Sequence, residues 1–337
     1  MDFTSIIAAV IGFLVSFLFG FPLIPFLKKL KFGQTIREDG PTWHASKDGT
    51  PTMGGVLIIT GTIISLGFSL LLIPLTGSNV FEALPEKTLR WIAALVLALA
   101  MGFIGFIDDY IKVVKKRNLG LTARQKTFLQ LLVSAAFLST LALNGMNTTW
   151  LPFIGEISIV KGAGLLFWPI ALMFIYGFTN AVNLTDGLDG LVTSVTVIVS
   201  CFFLVISGTM YFTGLNILSA ALAGSLIGFL IWNAHPAKVF MGDTGSLFLG
   251  GAVVGFSFAL NKPIILLLAG IIYLIEALSV VIQVAYYKRT KKRIFKMSPL
   301  HHHFEMSGWS EEKVVYVFSF ITLIACIIAS VICILGK

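Results

Sequence analysis

Five polar segments interrupt an otherwise apolar chain, and each carries side chains that can handle phosphate or a hard cation. Asp108 and Asp109 are adjacent and lead into Tyr110, Ile111 and Lys112. Two carboxylates at a helix C-terminus repel each other and face the negative end of the helix dipole, so something positive must compensate them. Lys112, Lys115, Lys116 and Arg117 can do so, as can a proton or a divalent cation. The segment Asn183-Leu184-Thr185-Asp186-Gly187-Leu188-Asp189-Gly190 adds two carboxylates that share one face if it is helical. These residues also suit the N-cap of a following helix, but a cap needs one Asp rather than two with two glycines. Asn233-Ala234-His235-Pro236 continues through Lys238 and Phe240 to Met241-Gly242-Asp243. Asp243 fits a helix cap or a hard oxygen ligand. Phe240 fits stacking on a flat ring or burial at a membrane interface. His301, His302 and His303 precede Phe304-Glu305. Consecutive helical residues diverge by about 100°, so one helix cannot aim all three at one ion. They read as anion-binding or proton-transfer groups. Lys47-Asp48-Gly49-Thr50-Pro51-Thr52-Met53-Gly54-Gly55 offers small residues whose backbone N–H groups can meet a phosphate at a helix start, or simply a capped helix that packs closely. No Walker-type Gly-Lys-Ser/Thr follows.

This inventory points to oxygen chemistry. Cys201, Cys326 and Cys333 lie inside apolar runs and read as small buried hydrophobes. Mg2+ takes one or two carboxylates and completes its shell with water and substrate phosphate. Phosphoryl transfer needs mainly positioning and charge neutralisation, which a metal ion and lysines provide. A carboxylate can act in it as base or nucleophile.

The elements that must position these groups are membrane helices. The 337 residues are 57% hydrophobic and 12% charged, against about 25% charged in soluble domains. Mean hydropathy is +0.93. Apolar runs at 5–27, 53–74, 91–107, 127–144, 165–182, 190–207, 214–232, 245–260, 264–286 and 314–336 predict about ten spanning helices in a single domain, 1–337. The first run has no basic residue before it and is too long for a signal core, so it is expected to stay as a span. A small external hairpin is expected near 153–161. Of the 24 Lys and Arg, all but Lys87, Arg90, Lys161, Lys262 and Lys337 fall on loops of one face, which the positive-inside rule makes cytoplasmic, with both termini external. All five histidines, His44 and His235 among them, share that face with Asp108, Asp109, Asp186, Asp189 and Asp243. The rule explains the lysines and arginines but not the aspartates. The net charge of +8 needs no nucleic acid, because neither a long basic arm nor zinc-finger spacing is present. Glu276 and Gln283 lie within a run and share a helical face, where interhelical hydrogen bonding accounts for both.

Taken in order, Thr50-Pro51-Thr52-Met53-Gly54-Gly55, Asp108-Asp109-Tyr110, Asn183 to Gly190, Asn233-Ala234-His235-Pro236, Met241-Gly242-Asp243 and His301-His302-His303-Phe304-Glu305 closely resemble the bacterial phospho-N-acetylmuramoyl-pentapeptide transferases, the MraY-type translocases. The acidic motifs alone fit the wider polyprenyl-phosphate sugar-1-phosphate transferase superfamily; the triple histidine points to the muramoyl branch. The resemblance implies a Mg2+-dependent transfer of phospho-N-acetylmuramoyl-pentapeptide from UDP-N-acetylmuramoyl-pentapeptide to undecaprenyl phosphate, giving lipid I and UMP. This is the first membrane step of peptidoglycan synthesis. It implies a homodimer in the bacterial inner membrane, with the active site on the cytoplasmic face. By position, Asp243 is the implied metal ligand, and Asp108 and Asp109 activate the lipid phosphate. Lys126 matches the family's phosphate-facing lysine. Asn183, Asp186 and Phe240 serve the nucleotide end. Asp189, Gln283 and His302 line the same cleft, with His302 counted among the catalytic groups. Lys47, Lys112, Asn233, His301 and His303 complete the expected substrate-binding set. In-line attack with Asp108 as base is expected, against a rival two-step route through a carboxylate-phosphate intermediate.

Two other readings compete. A relative using UDP-N-acetylglucosamine would share the acidic motifs. A secondary transporter would place its polar residues near the bilayer midplane, whereas here they gather at helix ends, Glu276 excepted.

Overall fold

The computed structural model describes residues 3–29, 47, 49–76, 85–114 and 120–335. His44, Asp48, Lys115, Lys116, Arg117 and Lys337 lie outside the described residues. The chain is an all-α polytopic bundle with one small hairpin. Its helices are α1 (Phe3–Lys29), α2 (Gly55–Thr76), α3 (Pro85–Val114), α4 (Ala123–Leu143), α5 (Phe167–Thr185), α6 (Leu191–Thr209), α7 (Thr213–Asn233), α8 (Gly242–Ala259), α9 (Leu266–Ala269), α10 (Ile271–Thr290), α11 (Leu300–Glu305) and α12 (Glu311–Leu335).

Among the described residues, nine helices are long and apolar enough to cross a membrane. The expected eighth span is α8. It stands apart because it is buried without a break from Thr244 to Ala259, with glycine and serine where lipid-facing helices carry leucine. Helices α7 and α8 form the centre, and α1, α2, α3, α5 and α6 pack around them. The buried face of α1 is small over its first five turns, at Thr4, Ser5, Ala8, Gly12, Ser16 and Gly20, before Ile24 and Leu27. Lipid and leucine are equally apolar, so close backbone packing of small residues joins helices where a hydrophobic drive cannot. The outer surface is apolar, with Leu18, Leu71, Phe103 and Leu143 exposed, as a bilayer requires.

The structure corrects three expectations. The run 264–286 is not one helix. It opens with a 3-10 turn at Pro263–Ile265, passes through α9, breaks at Gly270 and resumes as α10. The hairpin starts earlier than 153–161: β1 (Thr148–Leu151) pairs antiparallel with β2 (Gly155–Ser158), so Trp150 faces Glu156. Thr-Thr-Trp-Leu supplies the β-prone strand that the expected range left out. Helix α3 runs past the expected end at 107 to Val114, so the aspartate pair lies within its last turns, at the helix C-terminus as read from the sequence.

The polar segments meet at one end of the bundle: the starts of α2, α4, α6, α8 and α12 and the ends of α3, α5, α7 and α10. The hairpin lies at the other end, where the Trp150 N–H donates to the Asn261 carbonyl at the end of α8.

Candidate active site

Local sequence sets each side chain. The last turns of α3 carry Asp108, Asp109 and Lys112 on one face. Thr122 caps α4 in a reciprocal box with Gln125, which puts Lys126 in the helix's first turn. Asp243 lies in the first turn of α8, where the dipole favours a negative charge. Gly105 lets α3 touch this turn, because a Cβ there would collide with the Asp243 carbonyl.

These groups form one centre. Lys112 Nζ lies 2.6 Å from Asp108 Oδ2, 2.9 Å from Asp243 Oδ2 and 3.8 Å from Asp109 Oδ1. Lys126 Nζ lies 3.0 Å from Asp243 Oδ2. Asn183 Nδ2 donates to Asp243 Oδ1 at 2.7 Å and to Ser246 Oγ at 2.7 Å. Asp109 does different work. Its Oδ2 accepts from the Thr244 N–H at 2.8 Å and the Thr244 hydroxyl at 2.7 Å, while Oδ1 accepts from the Asp243 N–H at 3.2 Å. It therefore holds the first turn of α8. Asp108 Oδ1 accepts from the Leu121 N–H at 2.8 Å, which ties the approach to α4 to the same point.

Carboxyl oxygens of Asp108, Asp109 and Asp243 all lie within 4.8 Å of one another. Three carboxylates face two ammonium groups here, and hard oxygen donors in excess suit a hard divalent cation. Asp186 stands beside them, half-buried; its N–H donates to the Asn183 carbonyl, and its carboxyl has no hydrogen-bond or ion-pair partner among the described residues. Burial, followed by the negative charges of Asp243, Asp109 and Asp189, pushes its carboxyl up to about 8.

A second cluster joins Lys47, Asp189, His235 and Glu311. Lys47 Nζ lies 2.9 Å from Asp189 Oδ1 and 2.6 Å from Glu311 Oε2. Asp189 Oδ2 is 3.0 Å from His235 Nδ1 and accepts from the Ala237 N–H at 3.0 Å.

The two loops read separately in the sequence form one structure. The Phe240 N–H donates to Pro51 O, Gly54 N–H to Phe240 O, and Gly55 N–H to Met241 O. Residues 51–55 thus strap down the approach to Asp243, and the Phe240 ring is half-buried beside it.

Other expected site residues have structural engagements. Asn233 accepts from the Thr193 hydroxyl and donates to Val239 O, clamping the loop before α8. The Gln283 amide accepts from the Ile294 and Phe295 N–H groups and donates to Phe295 O, pinning the chain after α10. The three histidines diverge as helical geometry requires. His301 is buried with Nδ1 3.2 Å from Glu276 Oε2 and its ring against Gly187. His302 Nδ1 is 2.7 Å from Glu305 Oε2, and His303 Nδ1 accepts from the Lys296 N–H. Glu276 accepts from the Leu300 and His301 N–H groups and so caps α11. Sequence reasoning missed Thr244, Ser246 and Glu311 as partners. The Thr and Ser beside Asp243 were the available signal for the first two; nothing in the spacing marked Glu311.

Residues 91–261 match the model of Glycosyl transferase family 4, and residues 47–59 match the phospho-N-acetylmuramoyl-pentapeptide-transferase signature 1. The chain is 49% identical to the phospho-N-acetylmuramoyl-pentapeptide-transferase of Clostridium perfringens (strain SM101 / Type A), over 98% of this chain and 97% of that one. It is 47% identical to the protein of that name from Carboxydothermus hydrogenoformans, over 96% of this chain and 97% of the relative. With the protein of that name from Clostridioides difficile (strain 630) the identity is 45%, over 94% of each chain. A bundle with its carboxylates and lysines gathered at one end, matched over nearly its full length by these relatives, belongs to the phospho-N-acetylmuramoyl-pentapeptide-transferase family.

Proposed function

We propose that the protein transfers phospho-N-acetylmuramoyl-pentapeptide from UDP-N-acetylmuramoyl-pentapeptide to undecaprenyl phosphate, forming lipid I and releasing UMP. The single observation that carries the reading is the centre of Asp108, Asp109, Asp243, Lys112 and Lys126 at one end of a membrane bundle. A lipid phosphate and a soluble nucleotide can both reach such a place.

In this reading the lysines neutralise phosphate oxygens while Asp108 takes the proton of the lipid phosphate and leaves it nucleophilic. The phosphate oxygen then forms a bond to the sugar-linked phosphorus as the bond from that phosphorus to UMP breaks. Asp109 has both oxygens committed to α8, so its part is to hold Asp243 and Thr244 in place. Asp243, with Asp108 and Asp109 beside it, would hold Mg2+, and the excess of carboxylate over ammonium supports that fit. When bound, Mg2+ would supply charge neutralisation for the substrate's pyrophosphate and for the departing UMP phosphate. Asn183, Asp186, Asp189, Lys47 and Phe240 face the nucleotide end. His301, His302 and His303 brace the cleft through α11, with His302 the one nearest to a chemical role in this scheme.

The bias of Lys and Arg toward the site end supports a cytoplasmic active site and external termini in the bacterial inner membrane. The proposal includes one domain over 1–337 and the homodimer that the family resemblance implies. The test is release of UMP from each UDP-sugar in the presence of undecaprenyl phosphate. Release from the muramoyl-pentapeptide substrate supports the proposal; release from UDP-N-acetylglucosamine alone would move the protein to the neighbouring branch.

A further inference from the structure

We infer that Glu311, the first residue of α12, is a positioning residue that aims Lys47 into the substrate cleft. The inference rests on the reading above that Lys47 contacts the UDP-sugar. Lys47 lies just before α2, Asp189 lies in the loop between α5 and α6, and Glu311 comes from the last helix. All three side chains are largely withdrawn from solvent, at 13%, 4% and 10% exposure. A lysine ammonium has three N–H donors on a flexible four-carbon stem. Asp189 takes one at 2.9 Å and Glu311 another at 2.6 Å, from separate segments of the chain. The ammonium is then fixed in direction, and among the described residues these two carboxylates are its side-chain partners, which leaves a third N–H for a substrate acceptor. With Asp189 alone the stem could swing about a single contact, and holding it against substrate would cost rotamer entropy at each binding event.

Glu311 also faces the other group on Asp189. Its Oε2 lies 3.7 Å from His235 Nδ1, and Asp189 holds that ring through its second oxygen. The start of α12 therefore meets the Asp189 loop across Lys47 and His235. The bland alternative is an ion pair that merely staples α12 to the bundle. The two accounts differ in what they protect. A staple protects the fold and should affect both substrates alike. A positioning residue protects one substrate contact.

The experiment is steady-state kinetics on the full chain in detergent, comparing Glu311→Ala, Glu311→Gln, Lys47→Ala and the double variant Lys47→Ala/Glu311→Ala. Loss of one charge-assisted contact predicts that Glu311→Ala raises KM for UDP-N-acetylmuramoyl-pentapeptide about tenfold. KM for undecaprenyl phosphate should stay unchanged. Glu311→Gln keeps an acceptor and should lose less, which also covers the case in which the alanine variant fails to fold. In the Lys47→Ala background, adding Glu311→Ala should cost little more, because the partner it aims is gone. Equal effects on both KM values, or a full additional loss in the Lys47→Ala background, would overturn the inference. An unchanged nucleotide KM in Lys47→Ala would overturn it too, by removing Lys47 from the substrate site, while leaving the Asp243 centre standing.

Discussion

Replacing Asp109 by Asn separates a base from a brace. The wild-type carboxylate is 3% exposed and accepts three hydrogen bonds, two on Oδ2 and one on Oδ1. Asparagine can accept on one side only. Its amide NH2 must point either at the Thr244 N–H and hydroxyl or at the Asp243 N–H, donor against donor. An unsatisfied buried donor costs about 1–3 kcal/mol. That cost should lower the melting temperature by several degrees and loosen the first turn of α8, which carries Asp243. Activity should fall with it. Thr244→Val, which removes the hydroxyl from the other side of the same contact, should reproduce a smaller part of both losses. The assay is scanning fluorimetry in detergent together with UMP release. An Asp109→Asn protein that melts like wild type, yet has no turnover and a pH–rate profile lacking its acidic limb, would refute the argument and make Asp109 the base.

Lys126→Ala should cut turnover by about 10²–10³-fold, the size of losing one preorganised electrostatic donor, with little change in melting temperature; turnover within threefold of wild type would remove Lys126 from the phosphate site. Asp186 should make stability pH-dependent. Its carboxyl is held near 8 in the fold against an ordinary 3.8, so the folded chain keeps a proton that the unfolded chain loses. The contribution is complete below 3.8 and is lost as pH rises through about 8. Asp186→Asn, which stays neutral, should therefore gain on wild type in melting temperature between pH 5 and 8 and hold a level margin above; a constant margin across that range would contradict the shift. Gly187→Ala should destabilise the protein by about 1–3 kcal/mol by overpacking against His301, and His301→Ala should relieve part of the loss; simple additivity of the two would show that the contact carries no energy.

Much of this was legible from residue types alone. Asp108, Asp109 and Asp243 stood out because paired carboxylates at a helix C-terminus and a lone one at a helix start demand different compensation, and the structure brings them together around Lys112 and Lys126. The helices were legible because apolar runs are long and loops are polar. The break at Gly270 and the extension of α3 past Asp109 were not, because hydropathy marks where lipid ends rather than where hydrogen bonding does. Asn233 and Gln283 were expected to face substrate; what the sequence did not show is that Asn233 also bridges the Thr193 hydroxyl and the Val239 carbonyl, and that Gln283 also holds the backbone of Ile294 and Phe295. Such partners depend on the path of a loop through space, and spacing in the sequence does not encode that path. Glu311 was illegible for the same reason. It pairs with Lys47, 264 residues away in the chain.

The central claim is that phosphoryl transfer occurs at the Asp243 centre and depends on a divalent cation held there. The most direct measurement is UMP release as a function of Mg2+ concentration, for wild type and for Asp243→Asn, with UDP-N-acetylmuramoyl-pentapeptide and undecaprenyl phosphate supplied. The account predicts saturable Mg2+-dependent release by wild type and none above background by a folded Asp243→Asn protein. Near-normal turnover by that variant at limiting Mg2+ would contradict it.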